Sequence, residues 1–366
     1  MIHLSGPVIH GGGEAPEAWI IDGTITYTRP EGAEHARTIP GAAMPGLLDV
    51  HCHIGLGADI LVPKESALQQ AHDVLATGVT LVRDLGTPGD MTWIDSEPGV
   101  PSIIHCGTHI ARPKRYLRGV SRDIEPADLP TVIVEEAKRG DGWVKLVGDW
   151  IERSKGADSD LEPLWPREIL IDAVQAAHEA GAKVAVHTFA TETIDDLLEA
   201  GVDDIEHGTG MTADQMKEVA ARGILVTPTA NQVATFIDIA NQAGAKYPVY
   251  AKRMRDMYEN RFDHMAAMAD AGIALLMGSD SGSTLAYGTL PSELQACVDA
   301  GIPADTVLAA ASWEGRRRLG FSALEEGTQA DLVIYPSDPR TNMSVLNEPT
   351  AVIMAGALVS DATDRT

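Results

Sequence analysis

The sequence predicts an α/β chain: a (β/α)8 barrel of the TIM type with a small β-sandwich domain formed by its N- and C-terminal segments. Three observations carry this. An amphipathic helix, a glycine and a short β-branched run recur along the middle of the chain. The strands so marked are apolar on both sides, as parallel strands covered on both faces must be. The two ends instead alternate apolar and polar residues between turn signals.

Taken in chain order, residues 1–43 contain strand-like alternation around Asp22-Gly23. Strands then read near 44–51, 79–84, 101–107, 143–147, 182–187, 203–207, 224–228 and 273–279. Gly78, Gly181, Gly201, Gly223 and Gly272 each follow a helical pattern and suit the left-handed end of a helix, which feeds the chain directly into the next strand. Eight strands with intervening helices over about 270 residues fit the barrel. A doubly wound open sheet competes, but no Gly-rich phosphate loop follows the first strand. Residues 327–361 return to alternation, and neither end could form a stable sheet alone. The expected division is therefore a composite β domain of residues 1–43 plus 322–366 around a metal-binding barrel of residues 44–321.

Of 366 residues, 44% are hydrophobic, enough for one large core or two modest ones, and 28 Lys plus Arg face 53 Asp plus Glu. The resulting charge of −25 repels phosphate backbones and anionic lipid heads, so nucleic acid and membrane are excluded as expected partners. Cys52, Cys106 and Cys297 are too few for a disulfide framework. No leader-like segment and no run of roughly 18 apolar residues is present, and a cytoplasmic protein is expected.

His51 and His53 end the first strand, and alternation places both imidazoles on one face, aimed at one point. Two adjacent inward imidazoles need partners that an apolar strand cannot supply. His187, His207 and Asp280 end further strands, on the barrel face where chemistry is placed. Lys145 lies inside Trp143-Val144-Lys145-Leu146-Val147, where its ammonium would be buried and would tend to lose its proton. A neutral amine there can take up carbon dioxide as a carbamate able to bridge two cations; the alternative is an ion pair with Asp149 or another acid. His72, His178 and His264 fall in expected helices and read as structural, and Cys52, between the two histidines, points to the opposite face.

At these residues the chain resembles the amidohydrolase superfamily of metal-dependent hydrolases, over essentially its full length. Met44-Pro45-Gly46-Leu47-Leu48-Asp49-Val50-His51-Cys52-His53 looks like that family's first-strand motif. Glu199 to Thr209, containing Asp204-Ile205-Glu206-His207-Gly208, looks like its sixth, and Glu326 to Ile334 is similar to its return into the small β domain. The likeness is greatest to the imidazolonepropionase-like proteins and the related Xaa-Pro, Arg or Lys dipeptidases. Those dipeptidases carry a bridging lysine on the fourth strand, matched by Lys145, whereas imidazolonepropionase lacks it and uses one metal. Their Gly-Gly-His element after the third strand is replaced here by Gly107-Thr108-His109, a departure at an element that supports substrate binding.

The resemblance implies a binuclear centre with His51, His53 and Asp280 on one divalent ion, His187 and His207 on the other, and carbamylated Lys145 between them. Zinc is the expected ion, with manganese or iron as alternatives. It further implies hydrolysis of an amide, peptide or cyclic C–N bond through a metal-bridging hydroxide, with Asp280 as the catalytic proton shuttle. A small, carboxylate-bearing molecule is the expected substrate, held by Arg112 and Arg115 in the basic cluster with Lys114, and by His109 and Asn231 at strand ends. A lactone or phosphotriester hydrolase with the same centre, and a noncatalytic scaffold on the same barrel, are the competing readings. Oligomeric state is left open, a homo-oligomer being compatible.

Overall fold

The computed structural model describes residues 1–11, 13–57, 60–282 and 284–361. Parallel strands organise its centre in two ladders. Leu47–Cys52 (β1), Val79–Asp84 (β2) and Ser102–His105 (β3) form one, with β2 in the middle. Trp143–Val147 (β4), Lys183–Thr188 (β5), Asp204–His207 (β6), Leu225–Thr227 (β7) and Ala274–Leu275 (β8) follow one another in the second, which Ile110–Ala111 and Arg122–Asp123 extend beyond β4. β1 meets the chain beyond β8: Val50 N donates to Met277 O at 3.0 Å and Asp280 N to His51 O at 2.7 Å. The ladder register sets His187 opposite Glu206 and Thr188 opposite His207, so the strand ends reach one level.

Helices follow most of the strands: Lys64–Ala76 (α1), Leu129–Ala137 (α2), Arg167–Glu179 (α3), Thr191–Ala200 (α4), Ala213–Arg222 (α5), Phe236–Ala243 (α6), Pro248–Glu259 (α7) and Leu290–Asp299 (α8). Their boundaries follow local chemistry. α5 begins with a reciprocal cap between Thr212 and Gln215 and ends at Gly223, whose φ is 69°. In α3, Leu170, Ala173, Val174 and Ala177 recur at helical spacing and are buried. Each such Leu or Val stabilises the fold by roughly 1.5–3 kcal/mol.

Both chain ends contribute to one eight-stranded sheet. Its main path runs through 357–361, 351–354, 332–335, 42–45, 2–10, 13–21 and 24–26, and Arg37–Pro40 pairs beside Ile2–His10. Leu4, Val8, Ile20, Ile39, Leu332 and Ile353 belong to a buried cluster of its own. The turn expected at Asp22-Gly23 is present, with φ of 48° and 85°.

Two expectations need correction. Met44 and Pro45, read as the start of the first barrel strand, pair with Val333 and Leu332 of this sheet instead. The chain passes between the two at Gly46, where any Cβ would meet the Thr80 side chain at 2.0 Å. The eighth strand, read as 273–279, keeps its ladder with β7 only over Ala274–Leu275; from Met277 onwards the backbone bonds to β1. No helix among the described residues is long and apolar enough to cross a membrane.

Candidate metal centre

Six side chains converge where β1, β4, β5, β6 and the segment after β8 end. His51, His53, Lys145, His187 and His207 are all buried. Potential ligand atoms of His51, His207 and Asp280 lie within 4.8 Å of one another. Asp280 Oδ1 is 3.1 Å from His51 Nε2 and 3.3 Å from His53 Nε2. On the other side, His187 Nδ1 and His207 Nε2 are 2.9 Å apart. His207 and Asp280 both hold left-handed backbone, φ 68° and 53°, which non-glycine residues adopt mainly where the surroundings impose it.

The rings are oriented from behind. His51 Nδ1 donates to Glu206 Oε2 at 2.7 Å and His53 Nδ1 to Gly86 O at 3.0 Å, while His207 Nδ1 pairs with Thr229 Oγ1 at 2.6 Å. Each therefore turns Nε2 towards the shared space, the arrangement of a metal-binding histidine whose other nitrogen is fixed by the protein. Burial, followed by the charge of Lys145, holds the His187 ring well below the usual imidazole range; burial and then His187 do the same for His207. Neutral imidazoles are the ligating form. Burial works against ionisation of Asp280, but His51, His53 and His207 keep its carboxyl well below the usual range.

Buried carboxylates hold the turns that carry these residues. Asp49 accepts from Ser279 N at 2.9 Å and Ser279 Oγ at 2.6 Å, anchoring the turn of Asp280, and burial pushes its carboxyl up to about 6. Asp84 accepts from Gly86 N at 2.8 Å, the residue whose carbonyl holds His53. Glu293 of α8 accepts from the N–H groups of Ala230 and Asn231 at 2.5 and 2.8 Å and so fixes the turn of Thr229. Behind His51, Arg83 donates to Asp204 at 2.6 Å and Glu206 at 2.8 Å with its guanidinium over the Trp143 ring.

Lys145 sits opposite Ala185 in the ladder, 1% exposed, and its Nζ has no hydrogen-bond partner. Burial lowers its pKa, against the attraction of Glu206 and Asp280. The ion pair with Asp149 is not formed: that carboxylate receives Thr188 Oγ1 and the N–H groups of Phe189 and Ala190, fixing the turn after β5. An orphaned buried amine, a buried His187 Nε2 without a partner and three Nε2 atoms turned inwards make a donor set that fits divalent cations.

A cavity of about 580 Å³ opens over these groups and includes His51, His53, His187, His207 and Asp280 in its wall. His109 lines it as well, 1% exposed, stacked on His53 with centroids 4.8 Å apart and with neither ring nitrogen partnered. Arg112, Arg115 and Asn231 do not reach the wall among the described residues. Arg112 faces Glu125 at 3.8 Å and Leu164 O. Arg115 is consumed by Glu152 at 2.9 Å and the carbonyls of Trp150 and Glu162, so it ties the 149–163 hairpin together. Asn231 turns its amide to Ser292 Oγ at 3.0 Å. Cys52 packs in the apolar core, away from the site.

Sequence reasoning missed the carboxylate anchors, Arg153, and the aromatic wall of Tyr116, Trp150, Phe189 and Tyr250. Charge inside an apolar strand, the signal that marked Lys145, also marks Arg83, Asp204 and Glu206 in β2 and β6. Nothing comparable marks the wall, which comes from loops, the 149–163 hairpin and α7.

The chain is 41% identical over 343 residues to an uncharacterised protein of Mycobacterium tuberculosis, covering 93% of this chain and 91% of that one. It is 22% identical over 340 residues to the ochratoxinase of Aspergillus niger, covering 90% of this chain and 68% of that protein. Among solved structures, a Xaa-Pro dipeptidase with bound methionine superposes with a TM-score of 0.83 at 23% identity, covering 98% of this chain and 99% of the other. Its fold is thus that of this chain. The family model described as "Amidohydrolase family" matches residues 42–359, and the chain belongs to that family.

Proposed function

We propose that this hydrolase of C–N bonds works through a two-ion centre and cleaves an amide, peptide or cyclic C–N bond in a small, carboxylate-bearing substrate. The observation that supports it most is Lys145: a buried amine without a partner, on the strand that pairs with that of His187, has the chemistry to become a bridging carbamate. His51, His53 and Asp280 would hold one ion and His187 and His207 the other, with zinc as the expected metal. Such ions supply a nucleophilic hydroxide at neutral pH and polarise the scissile carbonyl.

The protein's own groups do the rest. Asp280, kept ionised by three imidazoles, accepts the proton of the attacking water and passes it to the leaving nitrogen. His109 offers an unpaired ring nitrogen to the substrate from the opposite wall. The architecture belongs to the same reading: the two parallel ladders close into one eight-stranded barrel, supported by the bonds between β1 and residues 277–280. The outer sheet folds into a sandwich, supported by the branch at which Ile2–His10 pairs with both 37–40 and 42–45. The domain division near residues 43 and 322 follows, with 44–45 moved to the outer sheet. Three unpaired, buried cysteines support a reducing, cytoplasmic setting.

Metal analysis of the purified protein is expected to give about two divalent ions per chain. Lys145→Ala is expected to lose activity and to recover part of it on addition of a short carboxylic acid; full activity with one ion, or an active Lys145→Ala protein, sinks the two-ion reading.

A further inference from the structure

The outer part of the cavity has a composition that the metal centre does not require. The His187 ring meets Tyr116, Trp150 and Phe189, with centroids 5.7, 5.5 and 4.3 Å apart, and the wall continues through Ile239 and Tyr250. Beside His53 stand Leu56, Gly282 and His109, whose ring meets Tyr116 at 5.6 Å. From Tyr116 to Tyr250 the wall is an arm lined mainly by rings.

Arg153 stands on this arm. It begins the 3-10 turn Arg153–Asp158, and Ser159 O, just beyond, accepts from Tyr250 N at 3.2 Å, which brings Arg153 and Tyr250 to the same end of the cavity. Nearby arginines are taken by acids: Arg112 by Glu125, Arg115 by Glu152, and Arg253 by Asp160 and Glu192. Arg153, in a chain with 53 acidic residues, has no ion pair or hydrogen bond from its guanidinium among the described residues. It is also the only lysine or arginine among the described wall residues, and the carboxylates there, Asp238 and Asp280, repel a second anion.

We propose that this ring-lined arm, ending at Arg153, takes the carboxylate-bearing half of the substrate, and that the substrates are N-acylated amino acids with an aromatic or large aliphatic side chain. The inference rests on the hydrolytic reading above and adds to it the side chain and the residue that select the substrate. A guanidinium fork matches a carboxylate with two parallel charge-assisted hydrogen bonds. The rings supply a large apolar contact at low entropic cost.

Calorimetric titration of the metal-loaded protein with 3-phenylpropanoate, 3-phenylpropan-1-ol and propanoate tests the arm directly. The unaltered protein is expected to bind 3-phenylpropanoate at least about tenfold more tightly than either truncated probe. Arg153→Met is expected to reduce its affinity to that of the alcohol, and Ile239→Trp, which fills the arm, to that of propanoate. Equal affinity in Arg153→Met places the anion elsewhere, on the ions or at His109, and overturns the proposal. The kinetic counterpart compares N-acetylphenylalanine with its primary amide. Arg153→Met should lower the kcat/KM preference for the acid by at least about tenfold. Cleavage unaffected by Arg153→Met overturns the arm and leaves hydrolysis standing. Arg153-dependent binding without cleavage of any N-acyl amino acid overturns the assignment of these substrates and leaves hydrolysis of another C–N bond standing.

Discussion

The floor of the cavity and its outer wall are built by different means. On the floor, four of the candidate ligands sit at or just beyond strand ends with a ring or turn fixed by a buried partner: Glu206 for His51, Gly86 for His53, Thr229 for His207, Asp49 for the turn of Asp280. On the wall, Tyr116 comes from a loop, Trp150 from the 149–163 hairpin and Tyr250 from α7; the first two rings meet each other, and Tyr250 is tied to the turn after Arg153 through Ser159 O. The difference teaches where precision is needed. Donors to a metal must converge within tenths of an ångström, and only buried, over-determined backbone provides that. A substrate side chain needs shape, which loops can supply and vary.

If this contrast holds, the largest effects belong to the floor. Asp280→Asn keeps an oxygen donor and the shape of the turn but removes the proton acceptor. Its kcat is expected to fall by about 10²–10⁴-fold with metal content retained. Metal analysis beside steady-state kinetics checks it, and normal turnover would refute the shuttle.

Next comes a residue that touches no substrate. Glu206→Gln leaves volume unchanged but removes the charge that holds His51 Nδ1 and faces Arg83. A loss of about 10–100-fold in metal affinity or activity is expected, read by chelator competition. Unchanged affinity would mean that the buried acids are only packing and would dissolve the distinction between floor and wall.

The same contrast explains what the sequence discloses. Strand periodicity and the cost of burying charge make the floor readable: the five strand-end candidates line the cavity and Lys145 lies buried beside them, because alternation leaves them one direction to face. The glycines expected to end helices all carry positive φ, from 69° at Gly223 to 88° at Gly78. The wall is unreadable for the converse reason. Arg112 and Arg115 form the densest basic cluster near a strand end, yet charge density along a loop says nothing of direction. The acid-rich surroundings claim both guanidiniums, leaving Arg153, a residue with no sequence signal, on the cavity. Glu293 was invisible for another reason: its partners, the N–H groups of Ala230 and Asn231, lie some sixty residues away on β7's turn.

On the wall, Trp150→Ala removes the ring between Tyr116 and His187 without touching a ligand's second nitrogen. KM for an apolar N-acyl amino acid is expected to rise about tenfold, consistent with loss of a ring contact of about 1.5 kcal/mol, while bound metal stays constant. A fall in metal content would show that wall and floor are one mechanical unit.

The smallest effect is expected at Arg112, and it discriminates sharply because sequence reasoning placed the substrate there. Its side chain is about one-third exposed and its ion pair with Glu125 spans 3.8 Å, so Arg112→Ala should cost less than about 1 kcal/mol of stability. Since the guanidinium does not line the cavity, kcat/KM should change less than about twofold, equivalent to about 0.4 kcal/mol. Arg115→Ala separates structure from binding on the same loop. Three partners lose their donor, two of them carbonyls of the hairpin that carries Trp150, so stability should fall by about 1–3 kcal/mol in chemical denaturation. Any kinetic change should follow Trp150→Ala in KM and leave metal binding alone. A large kcat/KM loss in Arg112→Ala with normal stability would return the substrate carboxylate to the 112–115 loop, and the cavity wall would then have to rearrange around bound substrate to bring that loop inwards.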